Sequence, residues 1–361
     1  MKILYDHQVF SWQKYGGISR YFYEIIKRIS EKEQVSLFQG YNINKYGLNN
    51  LNTYEDIFFK KKYLIPKTGK LYEFLNKFCL KNFSNKNNVD VYHPTYYNYY
   101  NLDNGKLIVT VHDMIHELFA KEFKNDITSE KKEKIIKKAD GIICVSKNTK
   151  KDLINIFNID EKKIKVIYLA NSLDEKVGDK PYINNKYILY VGNRKGYKNF
   201  KTLIDAYVLL GKDNNDVKII CFGGGPFDKE ELYLLNKLNI INKVEQLSGN
   251  DKILSNLYNF AEFFVYPSKY EGFGIPPLEA MHYGAPVIVS NVSSIPEVVG
   301  DAGLYFDPNS VEDLSEKMKM LLKNKSLRND FIDRGKKRVK LFSWDKCANE
   351  TINFYSRIIN G

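Results

Sequence analysis

The chain has 361 residues, 43% of them hydrophobic and 27% charged, with a formal net charge of +12 at pH 7. That length exceeds what one hydrophobic core fills, so two domains are expected, and the composition excludes a disordered or fibrous chain. No run of about eighteen apolar residues occurs, which excludes a membrane-spanning helix. Asp6-His7-Gln8 interrupts the stretch that a signal peptide would need apolar, so a cytoplasmic protein is expected.

In chain order, residues 2–6 read as a strand, and Gly16-Gly17 opens a helix to about Ile29 with Ile18, Tyr21, Phe22, Ile25, Ile26 and Ile29 on one face. Strand-like runs follow at 34–38, 89–93, 107–111, 141–145 and 165–167, separated by helical or loop segments. Residues 171–185 turn polar around Pro181 and read as a linker. The pattern restarts with strands at 187–191, 217–222, 244–247 and 263–266 and helices near 200–210, 228–238 and 253–260. Phe342-Ser343-Trp344 leads into a terminal helix. Alternating strands and helices of this kind predict an α/β fold with doubly wound sheets.

The charge is uneven. Residues 1–180 hold 31 basic against 22 acidic residues, +9, and the remainder 24 against 21, +3. The clusters Lys60-Lys61-Lys62 and Lys131 to Lys138 lie beside apolar residues, which fits either an anionic membrane surface or the solvated face of ordinary helices. Cys79, Cys144, Cys221 and Cys347 form no CxxC pair, so reduced, buried thiols are expected.

Three loops carry chemistry. In FFVYPSKYEGFGIPPLEAMHYGAPVIVS a strand leads through Glu271, Gly272, Phe273, Gly274 and Ile275 into a helix that carries Glu279. Pro277 suits a first helical turn, and the loop and helix start would lie at the carboxyl edge of a parallel sheet, where an anion is favoured. In YVGNRKGYKNF a strand ends at Gly192, and Arg194, Lys195 and Lys198 follow as candidate cations for a diphosphate. Gly16-Gly17-Ile18-Ser19-Arg20 opens a helix after the first strand. Phe222-Gly223-Gly224-Gly225-Pro226 lacks the third glycine of a dinucleotide fingerprint. His112 and His116 are four apart, as in some zinc sites, but Asp113 stands where such a motif needs Glu and no third ligand is visible, so no metal is expected.

The Glu271-to-Glu279 run, with its Pro-Ser before and Gly-Ala-Pro-Val-Ile after, resembles the glutamate-x7-glutamate signature of retaining GT-B glycosyltransferases, most of all family 4 (group 1). The resemblance covers most of residues 1–345 and is thin over 41–89. It implies two Rossmann-like domains facing across a cleft. Residues 1–172, joined by a crossing helix 345–361, would form the acceptor domain, and 182–344 the nucleotide-sugar domain. It implies that Arg194 and Lys198 bind the donor diphosphate, that Gly16, Gly17 and Arg20 line the phosphate and acceptor region, and that His112 contacts the donor sugar. Glu271 and the N–H groups of 272–275 would meet sugar and phosphate, Glu279 the ribose diol, and Gly192, Gly223 and Gly224 the nucleotide region. Two departures stand out: Asn193 intervenes between Gly192 and Arg194, and Ala170-Asn171-Ser172-Leu173-Asp174 lacks the family's glycine.

The implied activity is retaining, metal-independent hexosyl transfer from a nucleoside-diphosphate sugar, GDP-mannose ahead of a UDP-sugar, with no separate cofactor. The acceptor would be a cell-surface glycan or lipid-linked oligosaccharide, as in polysaccharide or lipopolysaccharide biosynthesis. The protein would work in the cytoplasm, at the inner membrane face if the basic half touches lipid, and no nucleic-acid partner is expected. The alternative is a non-catalytic basic protein that binds glycan, nucleic acid or anionic lipid on the same scaffold.

Overall fold

The computed structural model describes residues 1–53, 69–86, 88–102, 104–211 and 216–361; the lysine cluster at 60–62 lies outside them. The chain forms two compact units, Met1–Leu169 with Ser343–Gly361, and Ala170–Phe342.

Unit 1 comprises β1 (Lys2–Tyr5), α1 (Gly17–Ile29), β2 (Gln34–Leu37), α2 (Gly69–Lys86), β3 (Val91–His93), β4 (Lys106–Val111), α3 (Ile115–Leu118), α4 (Thr128–Lys138), β5 (Gly141–Cys144), α5 (Lys147–Phe157) and β6 (Ile164–Val166). Its six strands are parallel in the order β2-β1-β3-β4-β5-β6. Strands such as β5, buried at all four positions, read as continuous apolar runs because helices cover both faces. The one-sided periodicity of α1 survives as a buried row of Tyr21, Phe22, Ile25, Ile26 and Ile29.

Unit 2 comprises β7 (Lys186–Val191), α6 (Phe200–Val208), β8 (Val217–Phe222), α7 (Lys229–Lys237), β9 (Val244–Leu247), α8 (Asp251–Phe260), β10 (Phe263–Tyr266), α9 (Ile275–His282), β11 (Val287–Ser290), α10 (Ile295–Val299), β12 (Gly303–Phe306), α11 (Val311–Lys323) and α12 (Lys325–Val339). Its parallel sheet runs β12-β11-β10-β7-β8-β9. The chain then returns to unit 1 with α13 (Trp344–Asn360), which packs on α1 and β4 and buries Trp344, Phe354 and Tyr355. There the Tyr355 hydroxyl lies 2.8 Å from that of Tyr5 and 2.5 Å from His93 Nδ1.

Residues 171–185, expected as a linker, fall within unit 2. The Asn171 side chain accepts from the Leu173 N–H at 2.9 Å, the Glu175 N–H donates to the Tyr283 hydroxyl at 3.0 Å, and the Tyr182 N–H donates to Asn256 at 2.8 Å. Polar composition here reflects hydrogen bonding to the unit's surface rather than detachment from it.

In each sheet the strand order reverses once, between β1 and β3 and between β7 and β10. Loops leaving the carboxyl ends of strands at such a point diverge to opposite faces and leave a crevice, the usual ligand position in an open α/β sheet.

Candidate functional site

At the unit 2 reversal, the loop after β7 and the loop after β10 face each other. Asn199, in left-handed backbone at φ 58°, ties them by donating from Nδ2 to the Pro267 carbonyl at 3.0 Å, and reaches the loop after β12 through the Pro308 carbonyl at 2.8 Å. The Lys269 N–H donates to the Tyr197 carbonyl at 2.8 Å. This stitching sets Lys198 Nζ 2.7 Å from Glu271 Oε1, although the two are 73 residues apart in sequence. The ammonium also lies 5.1 and 5.7 Å from the ring centroids of Tyr197 and Tyr266. Glu271 is buried, and the Tyr266 phenol, pushed well up by burial and then by this carboxylate, hydrogen-bonds to it.

The Glu271–Gly274 loop is held from beneath. The Glu271 N–H donates to Ser293 Oγ at 3.0 Å, and Ser294 Oγ donates to the carbonyls of Glu271 and Phe273 at 2.8 and 2.9 Å. Gly274 caps α9 at φ 105°, which only glycine adopts without strain. Pro276 and Pro277 both stand in the first turn of α9 and carry no N–H, so the backbone donors of this corner are those of residues 272–275. Glu279, the fifth residue of α9, receives a hydrogen bond from the buried Tyr258 hydroxyl at 3.0 Å.

Arg194, expected beside Lys198 on a diphosphate, is committed elsewhere. Its side chain is only 3% exposed. Nε donates to Glu231 Oε1 at 2.8 Å, Nη1 to the Gly223 carbonyl at 3.1 Å, and Nη2 to the carbonyls of Gly225 at 3.0 Å and Pro226 at 3.1 Å. Glu231 in turn accepts from the Asp228 N–H in the capping box of α7. The guanidinium therefore locks the glycine turn after β8 to the loop after β7. Gly223, Gly224 and Gly225 all have positive φ, which disfavours a side chain at each, and at Gly224 a Cβ would also sit 2.6 Å from the Gly192 carbonyl. Lys195 points outward to Asp228 at 3.1 Å.

In unit 1, α1 begins beside the sheet reversal. The Gly16 N–H donates to the Tyr46 hydroxyl at 3.1 Å, a Cβ at Gly17 would meet nothing within 4 Å, and Arg20 stacks 4.5 Å above the Tyr46 ring. His112 follows β4 and packs edge-on against Tyr21 and Phe22 of α1. Its N–H donates to the Tyr97 hydroxyl at 3.3 Å, and its Nε2 is buried with no partner among the described residues. Burial, helped by Lys132 and opposed by Asp113, lowers the imidazole to about 4, so it is neutral at pH 7. His116 turns to Asp126, 3.6 Å away, and among the described residues no group of three metal-type side chains assembles.

The structure thus gathers Lys198, Glu271, residues 272–275 and Glu279 in unit 2, and Gly16, Gly17, Arg20 and His112 along the carboxyl edge of unit 1. Sequence reasoning missed Tyr258, Tyr266, Ser293 and Ser294. Tyr266 ends an apolar strand and the serines follow another, positions whose partners come only with the sheet order.

Residues 15–174 match the family model described as Glycosyltransferase Family 4, and 174–338 match Glycosyl transferases group 1. The O-antigen chain mannosyltransferase B of Escherichia coli is 31% identical over 94% of this chain and 95% of its own length. Among solved structures, the sucrose-phosphate synthase of Thermosynechococcus elongatus superposes with a TM-score of 0.79 at 18% identity, covering 99% of both chains. Anabaena Alr3699/HepE, solved with UDP and glucose, gives 0.76 at 16% identity, again over 99% of both.

Proposed function

Because the chain belongs to the group 1, family 4 glycosyltransferases of GT-B fold, we propose that it transfers a mannosyl residue, with retained configuration and without a metal ion, from a nucleoside-diphosphate sugar. GDP-mannose is the preferred donor and a UDP-sugar the next. The acceptor is a growing surface polysaccharide or its lipid-linked precursor, and unit 1 receives it while unit 2 holds the donor.

The observation that carries this reading is the Lys198–Glu271 pair at the sheet reversal of unit 2, beside the glycine-containing turn of residues 272–275 that opens α9. A fixed ammonium and backbone donors can neutralise charge growing on a departing diphosphate, the task that a divalent ion performs in other transferases. In unit 2 Lys198 takes that role, while Arg194 holds the glycine turn after β8. Glu271 and the 272–275 amides orient sugar hydroxyls, Glu279 accepts from the ribose diol, and neutral His112 contacts the donor sugar. The departing phosphate oxygen takes the acceptor proton on the same face, so no protein nucleophile is assigned.

A panel of GDP-, UDP- and dTDP-sugars tests the reading, with binding followed by thermal shift and product anomers by NMR. GDP-mannose should stabilise the protein most and give an α-linked product, with turnover unchanged by EDTA. Failure of every nucleotide sugar to bind would remove the proposal, and loss of turnover in chelator would return a metal to the mechanism.

The membrane contact has its own support. Leu71, Phe74 and Phe78 on one face of α2 are 55%, 66% and 61% exposed, and Lys77 and Lys81 are exposed beside them. Phe74 and Lys77 line one hollow with Lys131 and Lys134 of α4. An apolar ridge flanked by lysines matches an anionic bilayer surface. Among the described residues no helix is long and apolar enough to cross one. The protein should co-sediment with phosphatidylglycerol vesicles but not with pure phosphatidylcholine, and Phe74→Ser with Phe78→Ser should release it.

A further inference from the structure

Lys132 falls inside the Lys131–Lys138 run that reads as a surface patch, yet its side chain is 1% exposed. It occupies the inward face of α4 with Ile135 and Ile136. Its Nζ donates to the Asp113 carbonyl at 2.9 Å and to Glu117 Oε2 at 2.8 Å, and lies 4.0 Å from Asp113 Oδ1. It also stands 5.4 Å from the ring centroid of Tyr97, whose hydroxyl accepts the His112 N–H. Glu117 Oε1 is buried and has no partner among the described residues, so the pair is incompletely satisfied.

A buried ion pair is poor value as a stabiliser, because desolvation offsets its attraction and a well-packed apolar pair often folds as well or better. The position of this one is specific. Its ammonium grips the backbone of the turn that carries His112 and Asp113, and Tyr97, beside the same ammonium, accepts the backbone N–H of His112.

We propose that Lys132, anchored by Glu117, is a positioning residue for the reaction: it clamps the Asp113 carbonyl and so fixes the aim of the unpaired His112 Nε2 toward bound sugar. The inference rests on the transferase reading and adds a residue to it. The groups facing His112 are Asp113 on its own turn, Lys132 from α4, His93 from β3, Tyr97 from the loop after β3, and Tyr21 and Phe22 from α1. Removing Lys132 deletes a positive charge that holds the imidazole neutral, so its titration should move upward from about 4.

The test compares the parent protein with Lys132→Met combined with Glu117→Leu, and with Lys132→Arg. The double variant removes both charges and keeps the volume, so its Tm should match the parent's. Donor affinity, set in unit 2, should stay within about twofold, while kcat falls about 10²-fold, the cost of a displaced reacting group. The His112 imidazole, followed by 15N NMR and assigned with His112→Asn, should titrate at higher pH in the double variant. Lys132→Arg keeps the charge and should hold the titration near the parent's while recovering part of kcat. A kcat within about threefold of the parent's would overturn the proposal, since an order of magnitude corresponds to only about 1.4 kcal/mol. A loss that merely follows the folded fraction, or failure of both variants to fold, would overturn it too, because the role would then be structural. If the parent turns over no nucleotide sugar, the transferase reading falls instead, and the His112 titration alone judges the clamp.

Discussion

Lys198→Ala should lower kcat/KM for the donor by about 10²–10³, the usual cost of removing one preorganised donor to developing charge. The expectation follows from geometry. Lys198 is the cation that the loop after β7 delivers to the sheet reversal, 2.7 Å from Glu271 and beside the amide corner. Truncation also strands a buried carboxylate, which by itself disturbs the site. Lys198→Ala with Glu271→Gln separates the two effects: if the stranded charge were the cause, the double variant would recover, and we expect that it does not. Glu279→Ala should behave differently, weakening donor binding by about 10-fold through lost ribose hydrogen bonds while leaving kcat nearly intact. Steady-state kinetics with saturating acceptor reads both. Unchanged donor kinetics in Lys198→Ala would end the assignment of this corner to the diphosphate.

Arg194→Ala should cost unit 2 about 3–5 kcal/mol, the range for leaving a buried ionic partner uncompensated. Glu231 would keep only its capping contacts, and the carbonyls of Gly223, Gly225 and Pro226 would lose their donors. Donor affinity would fall as a consequence, because the glycine turn would lose its anchor. Arg194→Lys discriminates between roles. A point charge serving a diphosphate would be largely replaced by lysine, whereas a planar fork reaching three carbonyls and a carboxylate would not. Urea unfolding measures the outcome. A variant as stable as the parent that no longer binds donor would restore Arg194 to the phosphate.

The same residue shows where sequence reading stops. Strand and helix positions were legible because both sheets are buried on two faces and α1 carries one apolar stripe; β9 falls on 244–247 as expected. The motif residues from Glu271 to Glu279 were legible because their neighbours, a strand before and a strand after, fix the corner between them. Direction was not legible. Arg194 and Lys198 stand four apart in one loop, and only the two sheet neighbours of β7, β8 on one side and β10 on the other, send the first into the glycine turn and the second to Glu271. Lys132 illustrates the opposite limit. Its spacing from Ile135 and Ile136 placed it on the apolar face, yet its charge argued for solvent, and the decisive partners arrive from α3 and the His112 turn. For Tyr97 and Tyr266 the sequence carries no role at all, because a phenol's role depends on which backbone or carboxylate reaches its oxygen.

The return of the last helix to unit 1 has a consequence for biosynthesis. A ribosome releases β1 to β6 long before Trp344, Phe354 and Tyr355 exist to cover them, and the Tyr5 hydroxyl and His93 must wait for Tyr355. Unit 2 emerges in one uninterrupted length and is free to fold first, reversing the usual amino-to-carboxyl order in which nascent domains mature. Until α13 emerges, the earlier half lacks the cover of Trp344, Phe354 and Tyr355, which makes it the segment most in need of a chaperone and leaves it uncovered by any truncation before α13.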